Sequence, residues 1–380
     1  MGARKLADMK TRSDNGTADL PSLPSPTVHV VVVGAGFIAD EHMAALRGRT
    51  DAALVGVVDV DPARAADAAR RNGGVRFTTD LAEALAWPET DACIVCTPNF
   101  THAALARSIA AAGKHLLIEK PLTTTVADAT EVADAFDSAG TVLMAAHTHR
   151  FYDYGRTVKR AIEQGVVGRP LATRLAILAG WIWPDWRAWM IDPVKSGGHA
   201  LHNGVHLLDL VTWWHGAEPV SVYARGRKQT AAELGIWDYL EMTVQFDDGS
   251  TAVCEMSRGH RGGTIGQRDV QVIGTDGVLS LPWDGDAGML LSERGDALVP
   301  AAGRNGFAVQ LGAWLDAIAG SAPQMTAAEA VRAVAMGVAA ERSIASGLPV
   351  ALADVLADSS AAVTQAARTA QAQAAGGATA

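Results

Sequence analysis

The chain has 380 residues, of which 49% are hydrophobic and 19% charged, and its formal net charge is −9. This length exceeds one ordinary core and suits two domains, and the apolar content excludes an intrinsically disordered chain. An acidic balance with no Lys/Arg cluster argues against nucleic acid or a membrane as partner and leaves small-molecule chemistry as the expectation.

Residues 1–27 are polar, rich in Pro, Ser, Thr and Asp, and lack an apolar h-region, so a flexible arm is expected there and not a signal peptide. No run approaches the roughly 20 apolar residues of a membrane span, and a cytoplasmic location is expected. Val28-His-Val-Val-Val-Val33 is the β-branched run of a strand buried on both faces. It leads into Gly34-Ala-Gly36-Phe-Ile-Ala39 and a helix over 40–46. Gly34 permits a tight turn, Gly36 lets backbone approach a pyrophosphate, and Ala39 allows close helix–strand packing. A second strand, 53–58, ends in Asp59, where a carboxylate accepts from both adenosine ribose hydroxyls and repels a 2′-phosphate. NAD is therefore expected over NADP, with Arg64 of the next helix a solvated charge.

Strands at 91–97, 114–119 and 141–146 alternate with helices at 101–112 and 126–138, Gly113 capping the first of these. Ligands of open parallel sheets bind at the carboxyl ends of strands, which puts Thr97, Asn99, Glu119, Lys120 and His147 near a cofactor cleft. Cys93 and Cys96 share the spacing of redox and zinc pairs, but an offset of three along a strand sends them to opposite faces. With Cys254 they are expected to be reduced core residues.

After a helix at 152–164 and a strand at 171–178, Trp181-Ile-Trp183-Pro-Asp-Trp186-Arg-Ala-Trp189 is either a packing cluster or an aromatic wall for the C–H face of a sugar. Gly-Gly-His199-Ala-Leu-His202-Asn203-Gly-Val-His206 follows. In a helix its three imidazoles fall within about 60° of one another. Zinc ligation, an acid/base centre, or one working histidine with two bystanders all fit that placement. From Pro219 antiparallel strands are expected, 238–246 pairing with 251–258 and 269–273 with 278–281. Helices at 306–319 and 327–346 then return the chain, with room to pack on the first domain. The expected fold is an α/β Rossmann domain with a parallel sheet (28–150) and a C-terminal α+β domain with a large, mostly antiparallel open sheet (151–350). An Ala/Gln-rich tail (351–380) closes the chain.

Five motifs occur in order: Cys96-Thr97-Pro98-Asn99-Phe-Thr-His102, Ala112-Gly-Lys-His115, Glu119-Lys120-Pro121, Gly204-Val-His206-Leu-Leu-Asp209 and Ser346-Gly-Leu-Pro-Val350. Through them the chain from 28 to 350 resembles the glucose–fructose oxidoreductase/inositol dehydrogenase/rhizopine-catabolism (Gfo/Idh/MocA) family. The resemblance implies hydride transfer between nicotinamide and a secondary alcohol carbon of a sugar, inositol or related polyol. It implies cofactor contacts from Gly34, Gly36, Asp59, Thr97, Asn99, Glu119 and Lys120, to which Phe37, Ile38 and His102 are added. Lys120 also reaches the reacting oxygen, and His206 matches the catalytic histidine, with His202 as its partner. His147, Arg150, Trp183, Trp186, His199 and Asn203 are expected to line the substrate pocket with Lys120, His202 and His206. The family's open sheet implies a homodimer or homotetramer.

A neutral histidine can take the hydroxyl proton as hydride leaves, while a nearby lysine cation stabilises the alkoxide and holds the imidazole neutral. That lysine would repel a metal, so no metal is expected. Many family members carry an aspartate where this chain has His202, and a histidine there can relay a proton but cannot neutralise Lys120. An NAD-dependent glycosidase working by transient oxidation, and a non-catalytic cofactor-binding sensor, are the alternatives the same residues leave open.

Overall fold

The computed structural model describes residues 27–180, 189–228, 235–260, 267–282, 287–292, 295, 297–300 and 305–359. The first domain alternates strand and helix. β1 (Val28–Val33), α1 (Phe37–Leu46), β2 (Ala52–Val58), α2 (Pro62–Arg71), β3 (Arg76–Thr78), α3 (Leu81–Leu85) and β4 (Ala92–Val95) form its first half. The second half is α4 (His102–Ala111), β5 (His115–Glu119), α5 (Val126–Ala139) and β6 (Leu143–Ala146). The six strands run in the order β3-β2-β1-β4-β5-β6, every pair parallel. Helices on both faces explain the unbroken apolar strands: Val30, Val31 and Val32 have no exposure. The order reverses between β1 and β4, the point at which such sheets bind ligands at the carboxyl ends of their strands.

The second domain begins with α6 (Asp153–Glu163) and β7 (Pro170–Gly180), followed by α7 (Pro193–Ser196) and α8 (Val205–His215). β8 (Pro219–Arg227), β9 (Tyr239–Phe246), β10 (Thr251–His260), β11 (Gln267–Gly274) and β12 (Gly277–Pro282) come next. Then follow β13 (Ala287–Ser292), β14 (Ala297–Pro300), α9 (Gly306–Ile318), α10 (Ala327–Ser346) and β15 (Val350–Ala351). The nine strands lie in the order β14-β13-β12-β11-β7-β10-β9-β8-β15. The predicted 238–246/251–258 and 269–273/278–281 pairings form as expected. All neighbours are antiparallel except β7 and β10.

One face of this sheet is the core: Leu240, Met242, Val244 and Phe246 alternate inward along β9. The other face leaves Ile273, Met289 and Leu291 between 41% and 49% exposed. Ile273 and Leu291 both pair with Val278, so they share that face. α10 packs on α8 and β8 and also on α5 and β6, while α9 packs on α1, so the late helices tie the two domains together. The packed chain continues past Val350: β15 pairs with β8, and a helix at 352–359 buries Leu352 and Val355.

Candidate active site

The glycine-rich turn is built as its sequence requires. Gly34 has φ +93°, and a Cβ on it would stand 2.7 Å from the Cys96 carbonyl oxygen, so this position favours glycine by conformation and by space. Gly36 is the N-cap of α1 with no side-chain cap, and a Cβ on it would meet nothing within 4 Å. The open space above a helix N-terminus with uncapped amides fits a pyrophosphate. Asp59 accepts from the Ala35 amide at 2.7 Å and from the Asp61 amide at 2.9 Å, fixing its carboxylate beside the turn with lone pairs left for ribose hydroxyls. Arg64 turns to Asp61 at 3.5 Å, with 65% of its side chain exposed, and leaves Asp59 free of a phosphate-binding cation. Phe37 is largely exposed and Ile38 partly buried at the same turn. These residues fit NAD.

At the end of β5, Glu119 is buried and held by His42 Nε2 at 2.8 Å, and this contact keeps its carboxyl below the usual range despite burial. Lys120 follows, and its Nζ donates to the His202 carbonyl at 3.0 Å. Burial pulls the Lys120 ammonium down to about 8, with Glu119 opposing and Arg258 reinforcing the shift.

His202 lies in a π-type turn, Ala200–Gly204, that runs directly into α8. Such wider winding is frequent at functional sites. Gly204 within it packs on Met242, where a Cβ would approach to 3.0 Å. Asn99 Nδ2 donates to the Ser196 carbonyl at 2.8 Å and to His202 Nδ1 at 3.1 Å, which leaves the proton of the neutral His202 ring on Nε2. Trp189 packs edge-on against this ring at 5.2 Å.

His206, one turn later, stacks at a tilt on His149 at 4.3 Å, and its Nδ1 is buried without a partner. Burial, then the charges of His149 and Lys120, hold His206 well below its ordinary value, and burial and Lys120 do the same to His202. His199 Nδ1 donates to the Trp237 carbonyl, its Nε2 is buried without a partner, and burial lowers it to about 4. The three imidazoles are thus neutral and unequal. Among the described residues no group of three or more His, Cys, Asp or Glu is placed to hold a metal ion.

Two expected ligand contacts are structural instead. Arg150 is a substrate residue by expectation, but its guanidinium is consumed by Asp209 at 2.7 and 2.8 Å, Glu329 at 2.9 Å and the Gln324 carbonyl at 3.2 Å. It clamps α8 to the start of α10, and Asp209 is thereby committed. His102 is expected at the cofactor, yet it is wholly buried between the Pro121 carbonyl (2.8 Å) and the Thr97 carbonyl (2.9 Å). It braces the turns after β4 and β5 against each other.

Thr97 shares a hydrogen bond with Thr101 at 2.7 Å on the same edge. His147 is fully buried, its Nδ1 3.4 Å from Asp209. Asn203 lies in the π-type turn, partly buried. Trp183 and Trp186 lie outside the described residues. Cys93, Cys96 and Cys254 are free and buried.

The sequence reading missed His42, His149 and Arg258. His149 was within reach, two residues past His147 on the same strand edge. The other two are brought in by α1 and β10 with no local signature.

The family model described as oxidoreductase family, NAD-binding Rossmann fold (GFO_IDH_MocA) matches residues 28–147, and that of the GFO/IDH/MocA C-terminal domain matches 156–280. An inositol 2-dehydrogenase of Paenarthrobacter aurescens is 30% identical over 315 residues, covering 80% of this chain and 91% of that protein. A 1,5-anhydro-D-fructose reductase of Ensifer adhaerens is 29% identical over 323 residues, covering 83% of this chain and 96% of that protein. The crystal structure of GenD2 from gentamicin A biosynthesis, in complex with NAD, superposes with a TM-score of 0.76 at 28% identity, covering 88% of this chain and 99% of that one.

Proposed function

The chain belongs to the Gfo/Idh/MocA family of NAD-binding oxidoreductases, and from that premise we propose that it moves hydride between NAD and a secondary alcohol carbon of a sugar, inositol or related polyol. The observation that carries this reading is the Lys120 Nζ contact with the His202 carbonyl. It brings the carboxyl edge of the nucleotide-binding sheet against the turn that leads to His206. Bound NAD supplies the hydride acceptor. His206, held neutral by burial and by the Lys120 charge, takes the hydroxyl proton. Lys120 presents its ammonium to the alkoxide that develops. His202, oriented by Asn99 and protonated on Nε2, positions the substrate and relays the proton. Glu119, held by His42, accepts from the Lys120 backbone amide at 3.3 Å.

Asp59 supports NAD as the nucleotide, since a 2′-phosphate would meet a fixed carboxylate. The exposed Ile273, Met289 and Leu291 face supports self-association through the open sheet. The test is a panel of pentoses, hexoses, inositols, anhydrosugars and glycosides scanned with NAD and NADP. NADH formation from a free sugar or polyol is expected, with Asp59→Ala raising NADP use relative to NAD by about tenfold or more, the value of a lost charged contact. Glycoside cleavage without net NADH, or NAD binding with no turnover across the panel, would overturn the reading.

A further inference from the structure

We propose that the substrate carries an anionic group, a carboxylate or a phosphate ester, and that the Arg258 guanidinium binds it at the sheet side of the pocket. This rests on the oxidoreductase reading above and narrows its substrate class. Arg258 stands two residues beyond Met256 on β10, where the ladder to β7 becomes irregular between Ser257 and His260, a feature that re-aims side chains. Met256 pairs with Ile177, and Ile177 pairs on its other side with Arg268 of β11. Directly paired residues share a face, and Met256 and Ile177 are buried, so Arg268 points to the helix-covered side of the sheet. Two arginines thus stand on the helix-covered side of the sheet, on the strands that flank β7.

Arg258 Nε is buried with no hydrogen-bond partner, and among the described residues no carboxylate pairs with its guanidinium. Of the acids nearby, Glu119 is engaged by His42 and Asp209 by Arg150, and Asp238, buried beside Gly259, forms no ion pair with Arg258. The charge of Arg258 is felt by Lys120, His149, His199, His202 and His206. Burial and Arg268 pull Arg258 itself down to about 10.

A buried cation without a counter-charge is costly, and a chain that keeps one gains when a ligand supplies the anion. Lys120 is already directed to the reacting oxygen, so the Arg258 fork is the group left to take a remote carboxylate or phosphate. A neutral polyol would leave it unpaired.

Calorimetric binding to the NADH-loaded protein, whose reduced nicotinamide cannot take hydride from an alcohol, tests this without turnover. The probes are the gluco, galacto and manno hexoses, their hexuronates and their 6-phosphates. At least one acid should bind about 10- to 100-fold more tightly than its parent hexose, as one charge-assisted pair is worth, and the uronate and phosphate arms separate the two sources. Arg258→Met should erase that preference, keep NAD binding, and melt no lower than wild type, because it removes an uncompensated charge. Arg258→Lys, which keeps the charge without the fork, should retain a reduced preference and decides the matter if the methionine variant does not fold. Equal binding of acids and parent hexoses by wild type, failure of every acid to bind, or a preference that survives loss of Arg258, overturns the proposal. Turnover confined to neutral polyols defeats this inference and leaves the dehydrogenase reading standing. Arg258-dependent acid binding without hydride transfer does the reverse.

Discussion

On the proposed mechanism, the chemistry concentrates in a lysine whose proton is held weakly and a histidine that does not hold one. Lys120, lowered to about 8 by burial, is a cation at neutral pH and loses that charge as pH rises through about 8. His206 is neutral across the same range. In the oxidative direction kcat/KM should therefore fall on the alkaline side with a midpoint near 8, and Lys120→Arg, charged throughout, should lose that limb. Lys120→Ala should lower kcat by about 100- to 1000-fold at neutral pH, as removal of one transition-state donor does. Steady-state pH profiles of the three proteins check both statements. The placement of Asp59 after β2, of Lys120 after β5 and of His206 on a helix was legible in the sequence because each follows from a local pattern. Arg150 and His102 were not: their partners are Asp209, Glu329 and the Pro121 carbonyl, and only the tertiary fold reveals that these groups consume them.

Among the elements, the π-type turn at Ala200–Gly204 governs the site, and α10 controls its start. Glu341 of α10 packs on Gly198, where a Cβ would come within 2.3 Å of its carboxyl, and it accepts from the Ala200 amide at 2.6 Å. Burial raises Glu341 from its usual 4.5 to about 7. The folded chain thus keeps a proton that the unfolded chain releases above about 4.5, so this group costs stability increasingly as pH rises from about 4.5 to about 7. Glu341→Gln, which keeps the acceptor without the charge, should be more stable than wild type at pH 8 by about 3 kcal/mol and equal to it at pH 4. Denaturant melts at the two pH values measure the difference. A deficit at pH 8 would show that the carboxylate does more than cap the turn. The hydrophobic period foresaw α9, α10 and the β9–β10 and β11–β12 hairpins because their signals are local. It did not supply β13 and β14, which lack a strong alternating pattern, nor the parallel β7–β10 pair, whose register joins residues about 80 apart.

At the scale of the whole molecule, α10 packs on a strand of each sheet, β6 and β8, and on the histidine turn, while α9 packs on α1. The opposite face of the nine-stranded sheet keeps Ile273, Met289 and Leu291 in solvent. Light scattering should return a multiple of the 39.6 kDa chain mass, and Ile273→Glu with Leu291→Lys should return the single-chain mass with NAD binding intact. A monomer at micromolar concentration would dismiss that face as an interface. Fold class was readable from strand–helix alternation giving way to hairpins, whereas the mutual placement of the domains depends on α10 meeting β6 of the first sheet across a long stretch of sequence. The most direct measurement of the central claim is transfer of deuterium from a carbinol-deuterated polyol substrate to NAD in a single turnover. Wild type should yield deuterated NADH, and Lys120→Ala and His206→Ala should bind NAD normally while transferring at least about 100-fold more slowly. Deuterium that never reaches the nicotinamide, or transfer at the wild-type rate in both variants, would contradict the account.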